Sequence, residues 1–128
     1  MASRGLNKVQ VIGNLGADPE ERHSESGAPV SNFRVAVNRR WKDSEGNAQE
    51  HTEWIPVVAF GPLAEVCNQY LSKGREVYVE GRMQTRSWED GEGNRRYRTE
   101  VVAQDVIFLG QRSEVPELTL IHISEPTS

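Results

Sequence analysis

Apolar residues recur at every second position along most of this chain, and the points where that period breaks divide it into elements. Residues 6–15 alternate, with Leu6, Lys8, Gln10 and Ile12 on one side and Val9 and Val11 on the other, and predict a first strand. Gly13 and Gly16 predict a bulge or sharp bend of the kind a small barrel needs at its corners. Residues 17–29, punctuated by Asp18, Pro19, Ser24, Ser26, Gly27 and Pro29, predict a loop. A second strand covers 30–38, where Phe33, Val35 and Val37 oppose Asn32, Arg34, Ala36 and Asn38. It runs into Arg39, Arg40, Trp41 and Lys42 and then a polar loop reaching Gln49. Residues 51–60 form a third strand, with Trp54, Val58 and Phe60 opposite Ile55, Val57 and Ala59. Pro56 lacks the N–H for one ladder bond, so an irregularity or a sheet edge is expected there.

The period then changes. Leu63, Val66, Cys67, Tyr70 and Leu71 fall at helical spacing, Pro62 suits a first turn, and Gly74 suits the C-terminal cap. Lys73 is expected to complement the helix dipole. Residues 74–110 return to alternation in two limbs joined by 89–94, whose glycines and polar side chains permit a hairpin turn near 90–94. In the first limb Val77, Val79 and Met83 share one parity, while Tyr78, Arg82, Arg86 and Trp88 share the other. Residues 99–109 continue apolar and complete the sheet. About five strands with one short helix between the third and fourth predict an all-β fold, a five-stranded Greek-key barrel of the oligonucleotide/oligosaccharide-binding (OB) type. The ordered domain is expected over 1–110, with 111–128 a loosely attached tail.

At 128 residues, 36% hydrophobic and 27% charged, the chain has the size and composition of one globular domain. No apolar run reaches membrane-spanning length and the N-terminus has no secretory or transit pattern, so a soluble, untargeted protein is expected. A single cysteine, Cys67, excludes an internal disulfide and a cysteine-cluster metal site; it is read as packing. There is no phosphate loop, no metal-binding H-E-x-x-H helix, no ligand spacing among His23, His51 and His122, and no nucleophile–base pair. Neither enzyme activity nor a cofactor is expected.

Charge complicates the picture. A net −4 counts against a polyanionic partner. The acids, however, gather in predicted loops (Asp18, Glu20, Glu21, Glu25; Asp43, Glu45, Glu50; Glu89, Asp90, Glu92), whereas Arg34, Arg39, Arg40, Arg82, Arg86, Arg96 and Arg98 lie in or beside strands. Rings and guanidinium groups alternating along strand faces suit a partner with flat faces to stack and phosphates to neutralise, which describes single-stranded nucleic acid. Stacking is assigned to Trp41, Trp54, Phe60 and Trp88, and phosphate neutralisation to Arg4, Arg34, Arg39, Arg40, Arg82, Arg86 and Arg96. Two other readings stay open: a barrel that binds RNA through the same surface, and an assembly module whose rings are buried between subunits.

The segments RGLNKVQVIGNLGADPE (4–20), TEW (52–54), VVAFG (57–61), LAEV with YLSKG (63–74) and VYVEGRMQTRSW (77–88) together resemble the bacterial single-stranded-DNA-binding protein family over residues 3 to 110. The resemblance implies a homotetramer of barrels that wraps single-stranded DNA without reading its sequence and protects it during DNA replication, recombination and repair. It implies a cytoplasmic, nucleoid-associated location in bacteria, and the same four stacking rings. Two departures are visible. Family members often carry histidine after the TEW tryptophan, at a subunit contact, where this chain has Ile55. Full-length members continue into a Gly/Pro/Gln-rich linker with an acidic tip; residues 113–128 have neither, which puts recruitment of replication and repair proteins in doubt.

Overall fold

A computed structural model describes residues 5–109. Arg4 and the expected tail 111–128 lie outside the described residues. Six strands and one helix follow in the order β1 (Val9–Leu15), β2 (Glu20–His23), β3 (Pro29–Lys42), β4 (Ala48–Phe60), α1 (Gly61–Tyr70), β5 (Glu76–Glu89) and β6 (Arg95–Leu109).

Closure depends on β1 changing partner along its length. It pairs antiparallel with β5 from Val9 opposite Gly81 to Asn14 opposite Glu76, while Asn14 and Leu15 also pair with Ala36 and Val35 of β3. The ring β1–β3–β4–β6–β5–β1 is a closed five-stranded barrel, with a short parallel pairing of β4 and β6 at Val57–Val101 and Val58–Val102. That connectivity is the OB arrangement expected from the sequence. Gly13 stands where the two pairings meet, and a Cβ there would strike the Ala36 carbonyl oxygen and the Val35 side chain. The glycine is what lets the strands approach at this corner. Ahead of β1, the Asn7 side chain prolongs the ladder: Nδ2 donates to the Met83 carbonyl and Oδ1 accepts from the Met83 N–H, both at 2.8 Å. Regular strand geometry therefore begins at Val9, later than the predicted residue 6.

One parity of each barrel strand points inward. Val11, Leu15, Phe33, Val35, Val57, Ala59, Val77, Val79, Val101 and Phe108 are buried, and Ala64, Cys67 and Leu71 join them from α1 and the residue after it. Each fully buried valine of this set contributes roughly 1.5–3 kcal/mol of transfer free energy. In β6 the alternation breaks at Gln104, which has no partner because Ala103 faces Gly81 and Asp105 faces Glu80. This β-bulge moves the inward parity from Val101 and Ala103 to Val106 and Phe108. Met83, which shares the parity of Val77 and Val79, lies beyond the core and is exposed. Ile55 is half-buried and packs against the core.

Several expectations need correction. The predicted loop 17–29 contains β2, a four-residue strand paired with β3 from Glu20–Asn32 to His23–Pro29. All four of its side chains are exposed, so it carries no alternation to detect. Strand β3 does not stop at Asn38; it runs through Arg39–Arg40–Trp41–Lys42 in unbroken register with β4, ending at Lys42 opposite Ala48. The polar loop is thus only residues 43–47. Pro56 leaves the β3–β4 register intact, and the β4–β6 pairing begins just past it at Val57. Helix α1 ends earlier than expected, with Leu71 as C-cap and no basic residue in its last turn. Gly74, at φ 88°, instead turns the chain toward β5, its N–H donating to the Leu15 carbonyl at 2.9 Å. The Lys73 N–H donates to Asp18 Oδ1, tying this turn to the segment after β1.

Candidate nucleic-acid interface

Two long hairpins project from the barrel, and both turn on the same chemistry. The sequences DSEGN (43–47) and DGEGN (90–94) fold alike. Asp43 Oδ1 accepts the N–H groups of Glu45 and Asn47, and Asp90 Oδ1 those of Glu92 and Asn94, all at 2.9 Å. These donors favour the ionised form, and the Asn47 and Asn94 amides in particular hold the two carboxyls below their ordinary pKa. Gly46 and Gly93 follow at φ 84°, a conformation that costs a β-carbon-bearing residue strain. The turn fixes register along each arm, and register decides which side chains share a face.

On β5–β6 the turn places Trp88 opposite Arg96, Arg86 opposite Arg98, Gln84 opposite Glu100 and Arg82 opposite Val102. Through the Val58–Val102 pairing this face continues onto β4, where Val58 lies between Trp54 and Phe60, and onto β3 with Arg34 and Arg40. Trp54 is 51% exposed, Phe60 50% and Trp88 41%. None of these rings is sealed in the barrel. Trp54 lies directly over Gly16: a Cβ at Gly16 would collide with the indole six-membered ring. Beside it is a pocket of about 410 Å³ whose lining includes Arg34, Arg98 and Trp54 together with Asp18 and Glu20. Acids thus share this opening with arginines, although Asp18 is engaged by the Lys73 amide.

Trp41 is placed differently. It shares parity with Val35, Val37 and Arg39, the core parity of β3, which emerges from the barrel on the opposite face of the β3–β4 arm from Trp54. It is 39% exposed, with the Arg39 guanidinium carbon 4.6 Å from its ring centroid, and lines a separate pocket with Arg40, Lys42 and Gln49. It therefore stands exposed on a paired strand, ahead of the polar loop.

The arginines divide into two groups. Arg34, Arg39 and Arg82 have no acidic partner among the described residues. Arg40, Arg86, Arg96 and Arg98 each face a carboxylate, through Nε in every case: Glu50 at 3.7 Å, Glu100 at 2.9 Å, Asp90 at 2.8 Å and Glu100 at 3.6 Å. Approach by Nε leaves the outer Nη ends of the fork for another acceptor. Being an acid's partner and meeting a phosphate are compatible roles here. Arg86 also sits over Trp88, 5.6 Å from the ring centroid.

Tyr78, which shares parity with Trp88, belongs to another neighbourhood. Its hydroxyl donates to Glu80 at 2.6 Å and accepts from Gln10 at 3.0 Å, and Lys8 pairs with Glu80 at 3.2 Å. The bond to Glu80 raises the phenol's pKa. The site assignments made from sequence omitted Arg98, Glu100 and Gly16. The signal for Arg98 was available, since a turn centred on Glu92 puts it across from Arg86. Cys67 is buried against the core, which pushes its thiol up to about 12 and removes it from chemistry. Among the described residues no group of acids, histidines and cysteine could hold a metal ion, and no helix is long and apolar enough to cross a membrane.

Comparisons with known proteins agree with this geometry. The model of the single-strand binding protein family matches residues 6–109. The chain is 55% identical over 111 residues to single-stranded DNA-binding protein 1 of Chlorobaculum tepidum, spanning 86% of this chain and 68% of that protein. It is 48% identical over 110 residues to single-stranded DNA-binding protein 1 of Xylella fastidiosa, spanning 85% and 81%. Among solved structures, the Plasmodium falciparum SSB complex with ssDNA superposes with a TM-score of 0.78 at 31% identity, covering 86% of this chain and all of that one.

Proposed function

Since the chain belongs to the single-strand binding protein family, we propose that it binds and protects single-stranded DNA during replication, recombination and repair, without reading sequence. Its activity is binding; no reaction is catalysed. The observation that carries this reading is the set of four exposed rings, Trp41, Trp54, Phe60 and Trp88, interleaved with exposed arginines on strands of an OB barrel. Every base has a π-face, so stacking contributes about 1–3 kcal/mol per base whatever its identity. Duplex DNA hides those faces, which accounts for preference for unpaired strands. Arg34, Arg39, Arg40, Arg82, Arg86 and Arg96, with Arg4 ahead of the described residues, neutralise phosphates. The binding unit is residues 1–110.

Rings on both faces of the β3–β4 arm favour a strand that wraps around the protein over one that crosses a single surface. A homotetramer is the assembly proposed, located in the bacterial cytoplasm and nucleoid. Titrating the protein with poly(dT) at two salt concentrations, with mass measured alongside, tests ligand and stoichiometry together. Tryptophan fluorescence should be quenched, and affinity should fall with salt at a slope of about −0.7 per phosphate neutralised. Trp54→Ala and Trp88→Ala are each expected to weaken binding by more than about tenfold at fixed salt. Unchanged titration midpoints would remove the stacking role, and equal affinity for an RNA of the same length would favour the RNA-binding reading.

A further inference from the structure

Glu100 is an anomaly on a face built for a polyanion. It lies midway along that face, yet its side chain is 3% exposed and it is one of the two buried polar residues among those described. Both of its oxygens are used from above. Arg86 Nε donates to Oε2 at 2.9 Å, Gln84 Nε2 reaches the same atom at 3.4 Å, and Arg98 Nε approaches Oε1 at 3.6 Å. Arg86 and Arg98 stand directly opposite one another across the β5–β6 ladder, a placement that like charges resist. The carboxylate between them removes that resistance and fixes the edge by which each fork is held. Neither guanidinium makes any other hydrogen bond or ion pair to a described residue, and both side chains are about half exposed, 51% for Arg86 and 41% for Arg98. Arg86 also lies over the Trp88 ring, and Arg98 lines the pocket beside Trp54.

We propose that Arg86 and Arg98, seated together on the buried Glu100 carboxylate, form a clamp for one phosphodiester of the strand segment running between Trp54 and Trp88. The charges support a single anionic guest: two guanidinium groups and one carboxylate leave one net positive charge, and a phosphodiester supplies one negative. Glu100 is a positioning residue in this arrangement; Arg98 is a direct contact that sequence reading left out of the site. The clamp rests on the single-stranded-DNA reading given above, and its test is built so that either can fail alone.

The test is oligo(dT) binding across a salt series by wild type, Glu100→Gln, Arg98→Gln and the double variant, with Trp54→Ala run in parallel. Arg98→Gln should weaken binding about tenfold, as expected for a lost charged hydrogen bond, and reduce the salt slope by about 0.7. Glu100→Gln is the discriminating case. Removal of a negative charge beneath a polyanion should tighten binding if the carboxylate only repels DNA; loss of the brace should weaken it several-fold. The clamp predicts weakening, and predicts that the double variant binds no worse than Arg98→Gln alone within about twofold. Tighter binding by Glu100→Gln, or additive losses in the double variant, overturns the clamp while leaving the parent reading intact. Failure of the wild type to bind oligo(dT) overturns the parent reading instead, and an unaffected Trp54→Ala removes the stacking role of that ring. Should Glu100→Gln fail to fold by circular dichroism, Arg98→Lys replaces it: the charge is kept and the fork lost, so wild-type affinity in that variant overturns the proposal.

Discussion

The two hairpin arms share a turn, an indole near the tip and an arginine against that indole, yet they are prepared for a ligand in different ways. On β5–β6 Trp88, Arg82, Arg86, Arg96 and Arg98 occupy one face in one register, with Arg95 and Tyr97 on the other, and the arginine over Trp88 is anchored to a buried carboxylate. On β3–β4 the two indoles point to opposite faces, and Arg39 over Trp41 has no acidic partner among the described residues. On the proposed reading, the arginine of one arm is held in place by its carboxylate before DNA arrives, whereas Arg39 has only the ring beside it and is expected to lose side-chain freedom on binding. Arginine ordering of this kind costs about 1–2 kcal/mol, comparable to one stacked base, so it is large enough to separate the two sites in a measurement.

The largest expected effect follows directly. Trp88→Ala should cost more than about tenfold in oligo(dT) affinity, whereas Trp41→Ala should cost about threefold, because part of the stacking gain at Trp41 is offset by ordering. Separate titrations of the two variants at one salt concentration check this. Equal losses would mean that the anchoring of Arg86 has no bearing on affinity. A loss at Trp41 confined to long oligomers, with short ones bound normally, would sharpen the comparison by assigning that ring to a strand already turned around the arm.

A smaller effect is expected where the arms meet the barrel. Trp54 rests on Gly16, whose φ lies outside the left-handed region, so the glycine is required for space and not for backbone conformation. Gly16→Val should lift the indole from its seat and weaken binding about fivefold. The melting temperature should change little, because a half-exposed ring contributes little to the core. A large loss of stability with normal binding would place Trp54 among the packing residues, and the contrast between a scaffolded and an unscaffolded ring would lose one of its cases.

How much of this was legible in the sequence depends on which residues alternate against a core. Val11 and Leu15, Phe33 and Val35, Val57 and Ala59, and Val77 and Val79 do so, and the strands that hold them and the barrel were read from that period, although the first was begun too early at residue 6. Strand β2 and the outer halves of β3 and β6 are exposed on both faces, so their pairing is enforced by hydrogen bonds and turns and leaves no hydrophobic pattern. The same limit hid the reversed face of Trp41: its parity follows from an unbroken register with β4 that a loop assignment conceals. Conversely, the Asp90 turn was read in the right place, and counting outward from it pairs Arg86 with Arg98. What no count along the chain supplies is that Glu100 is buried between them, since that follows from the side chains of Arg86, Gln84 and Arg98 closing over its carboxylate.

The smallest effect concerns the turns themselves and appears only in acid. Asp43 and Asp90 are both held below their ordinary value of 3.8, chiefly by backbone N–H donors, those of Asn47 and Asn94 first. A depressed folded-state pKa means that the stabilisation is fully present above the unfolded value and disappears as pH falls through the lower, folded one. Neither turn should respond between pH 5 and 8, and both should loosen only below 3.8. They should then part company. Asp90 also holds Arg96 at 2.8 Å, whereas Asp43 is assisted by the neutral side chains of Asn47 and Gln49. Added salt screens the ion pair and leaves the amide contacts nearly unchanged. Following the amide resonances of Glu45, Asn47, Glu92 and Asn94 through an acid titration at low and high salt should therefore show a salt-dependent midpoint at the β5–β6 tip and a fixed one at the β3–β4 tip. Identical salt responses would mean that Arg96 is free in solution, and Glu100 would then be the acid that anchors arginines on the β5–β6 arm.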